Sequence, residues 1–353
     1  VQRSARSRIR GQTLQRGRLV DSPAQVTSLH DGARDPRPKS RASFALRTGL
    51  GFALVIALVW LCGAKTIGRV LSRERPQFFV AALVLYLAGQ MMSSYRWQLL
   101  ARLNGFGGRW REYLAYYFIG MFTNLFVPGL IGGDAARASY LSLRHRRGGA
   151  ALASVVADRG VGLVALFWFA ATAASTVTSV HLPSALIHLT VALGLLALLG
   201  YLAGPVLATL VSRIPGRLGR IADSVTPYLR NPRSLILPLT LSIILQASLA
   251  LSQYLLAIGM GIAIPFSAIL LIVPIANVIA SVPLTLNGLG VRESTYLLLF
   301  GMAGVARQDA VALGLMWFAT TLIAGLSGLW PFIVTPAPTP DIVATPRAQA
   351  RGI

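Results

Sequence analysis

Eight apolar stretches, most of them long enough to cross a bilayer, occupy nearly all of the chain past Ser43 and fix its solvent. They run at about 48–64, 77–95, 113–143, 150–180, 184–211, 234–258, 262–306 and 309–334. About 20 apolar residues suffice to cross ~30 Å of hydrocarbon as a helix. Backbone N–H and C=O groups in lipid must be satisfied internally, so these stretches read as helices. Only 12% of the 353 residues are charged and 54% are hydrophobic, against about 25% charged in an ordinary soluble domain. Mean hydropathy is +0.63. Six stretches read as ordinary spans. The other two, 113–143 and 262–306, carry Pro and paired Gly near their middles, which backbone in a membrane tolerates only where protein buries it or a cavity receives it. The expected fold class is therefore all-α integral membrane, a polytopic helical bundle of about six full spans plus two broken or re-entrant segments.

The formal net charge of +22 raises nucleic acid as a partner. The arginines, however, lie in the N-terminal arm and in short loops between apolar stretches, where cytoplasmic loops carry them. No aromatic-interleaved basic face accompanies them, so nucleic acid is not an expected partner. Cys62 is the single cysteine, which rules out an intramolecular disulfide and a thiolate metal cage. His30, His145, His181 and His188 lack metal-ligand spacing, and neither a metal nor a cofactor is expected.

Residues 1–47 hold eleven Arg or Lys against three Asp, with too few large apolar side chains for a core. This arm reads as disordered, either a solvated topogenic tail or a tether to anionic lipid worth about 1 kcal/mol per basic residue held near the surface. The run after it lacks the small-residue site of a cleaved leader. A single membrane domain follows over 48–334, and 335–353 form a Pro-rich tail. With the arm inside, the Arg-rich loops at 96–111, 144–149 and 212–233 fall inside, and the uncharged ones at 181–183 and 259–261 fall outside. The N-terminus is thus expected in the cytoplasm of a multi-pass protein of the cytoplasmic membrane. Lys65, Arg69, Arg73 and Arg75 run against this orientation.

Leu99-Leu100-Ala101-Arg102-Leu103-Asn104-Gly105 and Leu255-Leu256-Ala257-Ile258-Gly259-Met260-Gly261 share one pattern, and a broken segment follows each copy. Setting Pro128 on Pro283 brings Gly133 onto Gly288 and Arg137 onto Arg292. Two related halves, about 48–180 and 184–334, with an odd number of crossings in each, would form an inverted repeat, an architecture that sets binding sites near the midplane.

Three constellations could carry function. Over 123–137 the chain places Asn124, Pro128, Gly132, Gly133, Asp134 and Arg137 around a helix break, where a half-helix N-terminus could meet an anion. A Gly-mediated helix crossing with a structural ion pair fits the same residues. Over 281–293, Pro283, Asn287, Gly288, Gly290, Arg292 and Glu293 form a second such turn, ligand-facing or merely helix-ending. Its Gly-x-Gly is flanked by apolar helices and not by a strand, so it is no nucleotide fingerprint. Asp158 and Arg159 open a long span, as functional charges in an apolar context or as an interfacial anchor. Together Arg137, Arg159 and Arg292 could take a phosphate while Asp134, Asp158 and Glu293 hold them.

At these residues the chain resembles the transmembrane family of lysylphosphatidylglycerol synthases, the flippase-like region of multiple peptide resistance factors and its stand-alone relatives. The resemblance rests on Asn124, Pro128 and Gly132-Gly133-Asp134-x-x-Arg137, on Asp158-Arg159-Gly160-x-Gly162-Leu163, and on Pro283 with Asn287-Gly288-Leu289-Gly290-Val291-Arg292-Glu293. It covers about 45–335 and implies handling of polar lipids across the cytoplasmic membrane. The chain ends soon after Pro331 without an aminoacyltransferase domain, so synthesis of lysyl-lipid by it alone is not expected.

The leading expectation is a flippase that binds an anionic, aminoacylated or polyprenyl lipid through Asn124, Pro128, Gly132, Gly133, Asp134, Arg137, Asp158, Arg159, Asn287, Gly288, Gly290, Arg292 and Glu293, with membrane lipids as its partners. The alternative is an accessory membrane subunit for a separate glycosyltransferase or lipid-modifying enzyme. A membrane-embedded transferase would need a base among Asp134, Asp158 and Glu293, and no metal, Ser–His or thiol motif supports it.

Overall fold

The computed structural model describes residues 74–126, 131–177, 180, 183–213, 216–280 and 291–335, all within the compact unit Ala42–Ile353. Every regular element among them is a helix. In chain order these are α1 (Pro76–Leu103), α2 (Trp110–Thr123), α3 (Ile131–His145), α4 (Gly148–Thr176), α5 (Ser184–Leu202), α6 (Gly204–Val211) and α7 (Gly216–Arg230). A 3-10 turn (Pro232–Leu235) leads into α8 (Ile236–Gly259), then α9 (Phe266–Ala280), α10 (Val291–Met302), α11 (Arg307–Leu326) and α12 (Leu329–Val334).

Five of these are long and apolar enough to span a bilayer: α1, α4, α5, α8 with its leading turn, and α11 continued by α12. They answer to five of the six ordinary spans expected, and the sixth, 48–64, lies outside the described residues. The stretch 184–211 divides into α5 and α6 at Gly204-Pro205, because Pro205 has no N–H to continue the ladder and favours the first turn of a new helix. The first segment expected to break does so, since α2 ends in a turn at 124–126 ahead of α3. In the second, α9 and α10 stand on either side of 281–290. Pro128, Asn287, Gly288 and Gly290 lie outside the described residues.

Two boundaries are corrected. The span expected over 77–95 does not stop there, since α1 runs on to Leu103 and carries Arg96 seven residues inside its end. Nor is 212–233 a plain loop. It holds α7, whose Val225 and Tyr228 pack with Leu100, Ala153 and Leu239. The charge count of this segment masks an amphipathic helical period.

The repeat is visible in backbone geometry. Each Leu-Leu-Ala-x-x-x-Gly copy ends a helix in the same turn. Gly105 (φ 75°) and Gly261 (φ 73°) occupy the left-handed region. Phe106 N–H donates to Ala101 O at 3.3 Å and Ile262 N–H to Ala257 O at 2.9 Å, while each glycine N–H reaches the carbonyl three residues back. This is a Schellman stop, which strongly favours glycine at the residue past the cap. The register that sets Leu99 on Leu255 also sets Pro76–Leu103 on Pro232–Gly259 and the start of α2 on the start of α9.

The equivalent helices α1 and α8 pack antiparallel, with Arg75 N–H on Gly259 O at 3.3 Å near one end and Arg96 Nη1 on Ser242 Oγ at 2.7 Å near the other. The two helices that the repeat matches therefore run in opposite directions. At the centre of both helices a side chain touches its own repeat equivalent, for a Cβ on Gly89 would stand 2.8 Å from Leu245 Cδ1. An antiparallel pairing of matched helices is what an inverted-topology repeat requires.

Three of the basic segments meet at one end of the bundle. Asn104 Nδ2 donates to Ser224 O at 3.0 Å and to Tyr228 Oη at 2.7 Å, and Arg147 Nη1 donates to Asn104 O at 2.9 Å. A shared face for these Arg-rich connections is what a charge-sorted topology demands. The largest apolar core gathers α8–α11 against α1 and α4, and a second joins α1–α4 around Trp97 and Tyr113.

Candidate functional site: a buried charge network

The site begins with a helix crossing. Gly120 of α2 and Gly133 of α3 lie backbone to backbone, and a Cβ on Gly120 would stand 2.9 Å from Gly133 O. This is the small-residue contact through which membrane helices approach closely. Asn124 Oδ1, just past the end of α2, accepts the Gly133 N–H at 2.6 Å and so satisfies an orphan donor in the first turn of α3. Asn124→Ala is expected to lower stability by about 1 kcal/mol, the usual worth of such a cap. A thermal midpoint in detergent unchanged from wild type would contradict that role.

The crossing fixes Asp134 and Arg137 on one face of α3, where α4 presents Asp158 and Arg159 and α1 presents Arg96. Asp158 is 1% exposed and Arg137 3%. Asp158 Oδ1 accepts from Arg96 Nε at 2.8 Å, and its Oδ2 from Arg137 Nη1 at 2.7 Å. Arg96 Nη1 also reaches Ser242 Oγ at 2.7 Å, tying the second half into the network. Asp134 Oδ1 accepts from Arg137 Nη2 at 2.9 Å and Nε at 3.2 Å. Arg159 clasps Asp134 with Nε on Oδ2 at 2.8 Å and Nη2 on Oδ1 at 3.0 Å, a two-pronged geometry that lysine cannot reproduce. The Arg137 guanidinium lies 5.2 Å from the ring centres of both Trp97 and Tyr117, so π-faces take up what the carboxylates leave.

Depth follows from helix rise. Asp158 is roughly 15 Å along α4 from its first residue, and Arg96 roughly 10 Å inside the end of α1. The network lies within the apolar length of the bundle, where uncompensated charge is costly. Its two ends differ. Arg96, Asp158 and Arg137 are sealed, whereas the side chain of Asp134 is 23% exposed and that of Arg159 39%. Among the described residues three guanidiniums face two carboxylates, which leaves one positive charge over, and Arg159 is the most exposed of the three. Gly160, next along α4, has nothing within 4 Å of where its Cβ would be.

The structure thus brings together Asn124, Gly133, Asp134, Arg137, Asp158 and Arg159, with Gly132 half-buried in the first turn of α3. Asp158 is no interfacial anchor. Arg292 and Glu293 fall in the first turn of α10, with side chains outside the described positions. Arg96 and Ser242 are the members that the sequence reading missed. Arg96 falls in the loop expected over 96–111, whereas the helical period carries α1 on through Trp97 and Leu100. Among the described residues no cluster of His, Cys, Asp and Glu could hold a metal ion.

A UPF0104 membrane protein of Methanocaldococcus jannaschii is 26% identical over 122 residues, 34% of this chain and 36% of that protein, so the match spans about a third of the relative's length. No solved structure matches the chain. The family model described as the lysylphosphatidylglycerol synthase TM region matches residues 49–328, which takes in α1 through α11 and every member of the network. This multi-pass membrane protein belongs to the lysylphosphatidylglycerol synthase transmembrane-region family.

Proposed function

We propose that the chain binds an anionic lipid headgroup at Arg159 and Asp134 and carries it across the cytoplasmic membrane, with the basic end of the bundle in the cytoplasm. The observation that carries this reading is the surplus guanidinium of a charge network set within the apolar length of the helices. A wholly structural network gains nothing from an unbalanced, half-exposed arginine, because an ion pair in a low-dielectric site is worth its desolvation only when charges and hydrogen bonds balance. A phosphate on the free edge of Arg159 would complete the balance. The inverted repeat supports movement, since rocking one half against the other exposes a midplane site to each side in turn. The same reading extends the headgroup site to Arg292 and Glu293.

The test is lipid scrambling in proteoliposomes carrying labelled anionic phospholipid, aminoacylated phospholipid or polyprenyl-linked sugar. Wild-type protein is expected to move at least one of them, and Arg159→Ala to slow that movement at least tenfold, with thermal stability within about 1 kcal/mol because Arg159 is the exposed end of the network. All three lipids staying on their original leaflet would overturn the proposal. Loss of a bound glycosyltransferase or lipid-modifying enzyme without any lipid phenotype would favour the accessory-subunit role instead.

A further inference from the structure

At the bundle end remote from Asn104 and Tyr228, two residues before α1 begins, Glu74 is 6% exposed, and neither carboxyl oxygen has a hydrogen-bond partner among the described residues. It is the one carboxyl group among them so placed. The group lies against the last residue of α8. A Cβ on Gly259 would collide with Glu74 Oε1 and stand 2.9 Å from Phe78 Cβ, so the absence of a side chain at 259 makes room for the carboxyl. The neighbouring backbone bond, Arg75 N–H to Gly259 O, docks the start of α1 onto that helix end.

No group described around the carboxyl hydrogen-bonds its charged form, although the first turn of α1 lies close by in the chain. The C-terminus of α8 presents the negative end of the helix dipole, and its last carbonyls already accept from Arg75, Met260 and Gly261. Neither α8 nor α9 contains a single charged residue. Of the two cations adjacent in the chain, Arg73 lies outside the described residues, and Arg75 is exposed with no ion pair among them. A buried carboxylate without a partner is expensive, whereas a neutral carboxylic acid at the same place is not.

We infer that Glu74 is a proton-binding site that latches the start of α1 to the end of α8, where the two inverted halves meet. Burial raises its pKa from 4.5 to about 7. In the separated state, with water admitted, the group returns to the ordinary carboxylate range. The latched state therefore binds the proton more tightly. Its advantage is full below the ordinary range, shrinks as pH rises toward 7, and is gone above it. The latch thus closes in acid and loosens in alkali, whatever the chain carries.

Nitroxide labels on Gln77→Cys and Ala263→Cys, both exposed, read the separation of the two helix ends in nanodiscs, with Cys62→Ser removing the native thiol. Between pH 5.5 and 8.5 the separated population is expected to rise about tenfold, with a midpoint near neutrality. Glu74→Gln, neutral at every pH, is expected to hold the acid distribution throughout. A distance distribution indifferent to pH in the labelled parent would overturn the inference, as would a midpoint below 5. A pH response that survives in Glu74→Gln would overturn it too. Should that variant not assemble, the profile of the labelled parent alone decides.

Discussion

Asp158→Ala is expected to be among the most damaging single substitutions in the chain, costing about 3–5 kcal/mol, the range found when one partner of a buried ion pair is removed. The carboxylate is the junction of the network, taking Arg96 on one oxygen and Arg137 on the other at 2.8 and 2.7 Å. Removing it leaves two guanidiniums in an apolar bundle. Arg137 keeps Asp134 and the rings of Trp97 and Tyr117, but Arg96 keeps only Ser242. Arg96→Met should therefore rescue much of the loss when combined with Asp158→Ala. The double variant is expected to be more stable than the sum of the two singles predicts, by a coupling within the 0.5–3 kcal/mol typical of contacting residues. Thermal midpoints of the four proteins in one detergent measure this. Strict additivity, or an Asp158→Ala protein that melts with wild type, would show that Asp158 is not the junction.

Under the proposed function, the difference between the sealed and open ends makes the outer end the place for the headgroup. The sealed end, Arg96, Asp158 and Arg137, joins α1, α3 and α4 and reaches α8 through Ser242. It fixes the frame against which Asp134 and Arg159 are held. Preorganised charges whose own partners are locked recognise an incoming group without rearranging at the moment of contact. On the proposed reading Arg159 keeps Asp134 and offers its free edge to a phosphate oxygen, since both side chains lie partly open.

Much of this was legible in the sequence, for identifiable reasons. Spans are legible because hydrocarbon forces about 20 apolar residues into one helix, a signal that local propensity cannot override. The breaks within 113–143 and 262–306 are legible because Pro and paired Gly interrupt that signal, and the repeat because Gly105 and Gly261 each answer the same backbone need. The juxtaposition of Asp134, Arg137, Asp158 and Arg159 could be suspected, since charges in apolar runs must find one another. Which arginine pairs with which aspartate could not, because residues 134 and 159 meet only through the packing of α3 on α4.

The misses have equally physical causes. Arg96 closes a window in which charge density rises, and a hydropathy reading ends the span there. The helix continues because Asp158 and Ser242, both distant in sequence, neutralise and solvate the guanidinium. Likewise α7 hides behind its arginines, and only its docking through Asn104 and Tyr228 shows that the segment is ordered against the bundle. Glu74 gave no sequence signal at all, since its isolation comes from Gly259 at the far end of another helix.

Gly133→Ala is the second large effect expected, and it separates a packing role from a conformational one. Gly133 lies within the helix α3, so its backbone needs no unusual angle, and alanine would ordinarily favour a helix by up to about 1 kcal/mol. Here the added Cβ would run into Gly120 O and stand 2.5 Å from Asn124 Nδ2. One obstacle is backbone and the other is the cap that holds the first turn of α3, so neither yields without shifting the helix. Overpacking of this kind costs about 1–3 kcal/mol. Because Asp134 is the next residue, the shift also moves the carboxylate that Arg159 clasps. Gly160→Ala is the matched control, a helical glycine with nothing within 4 Å of its missing Cβ, where stability is expected to hold or rise. If Gly133→Ala melts with wild type while Gly160→Ala is the variant that fails, the α2–α3 crossing is not what positions Asp134. Lipid movement measured on the same pair follows the same order if the carboxylate and its arginine act as one recognition element, because only the first substitution displaces them.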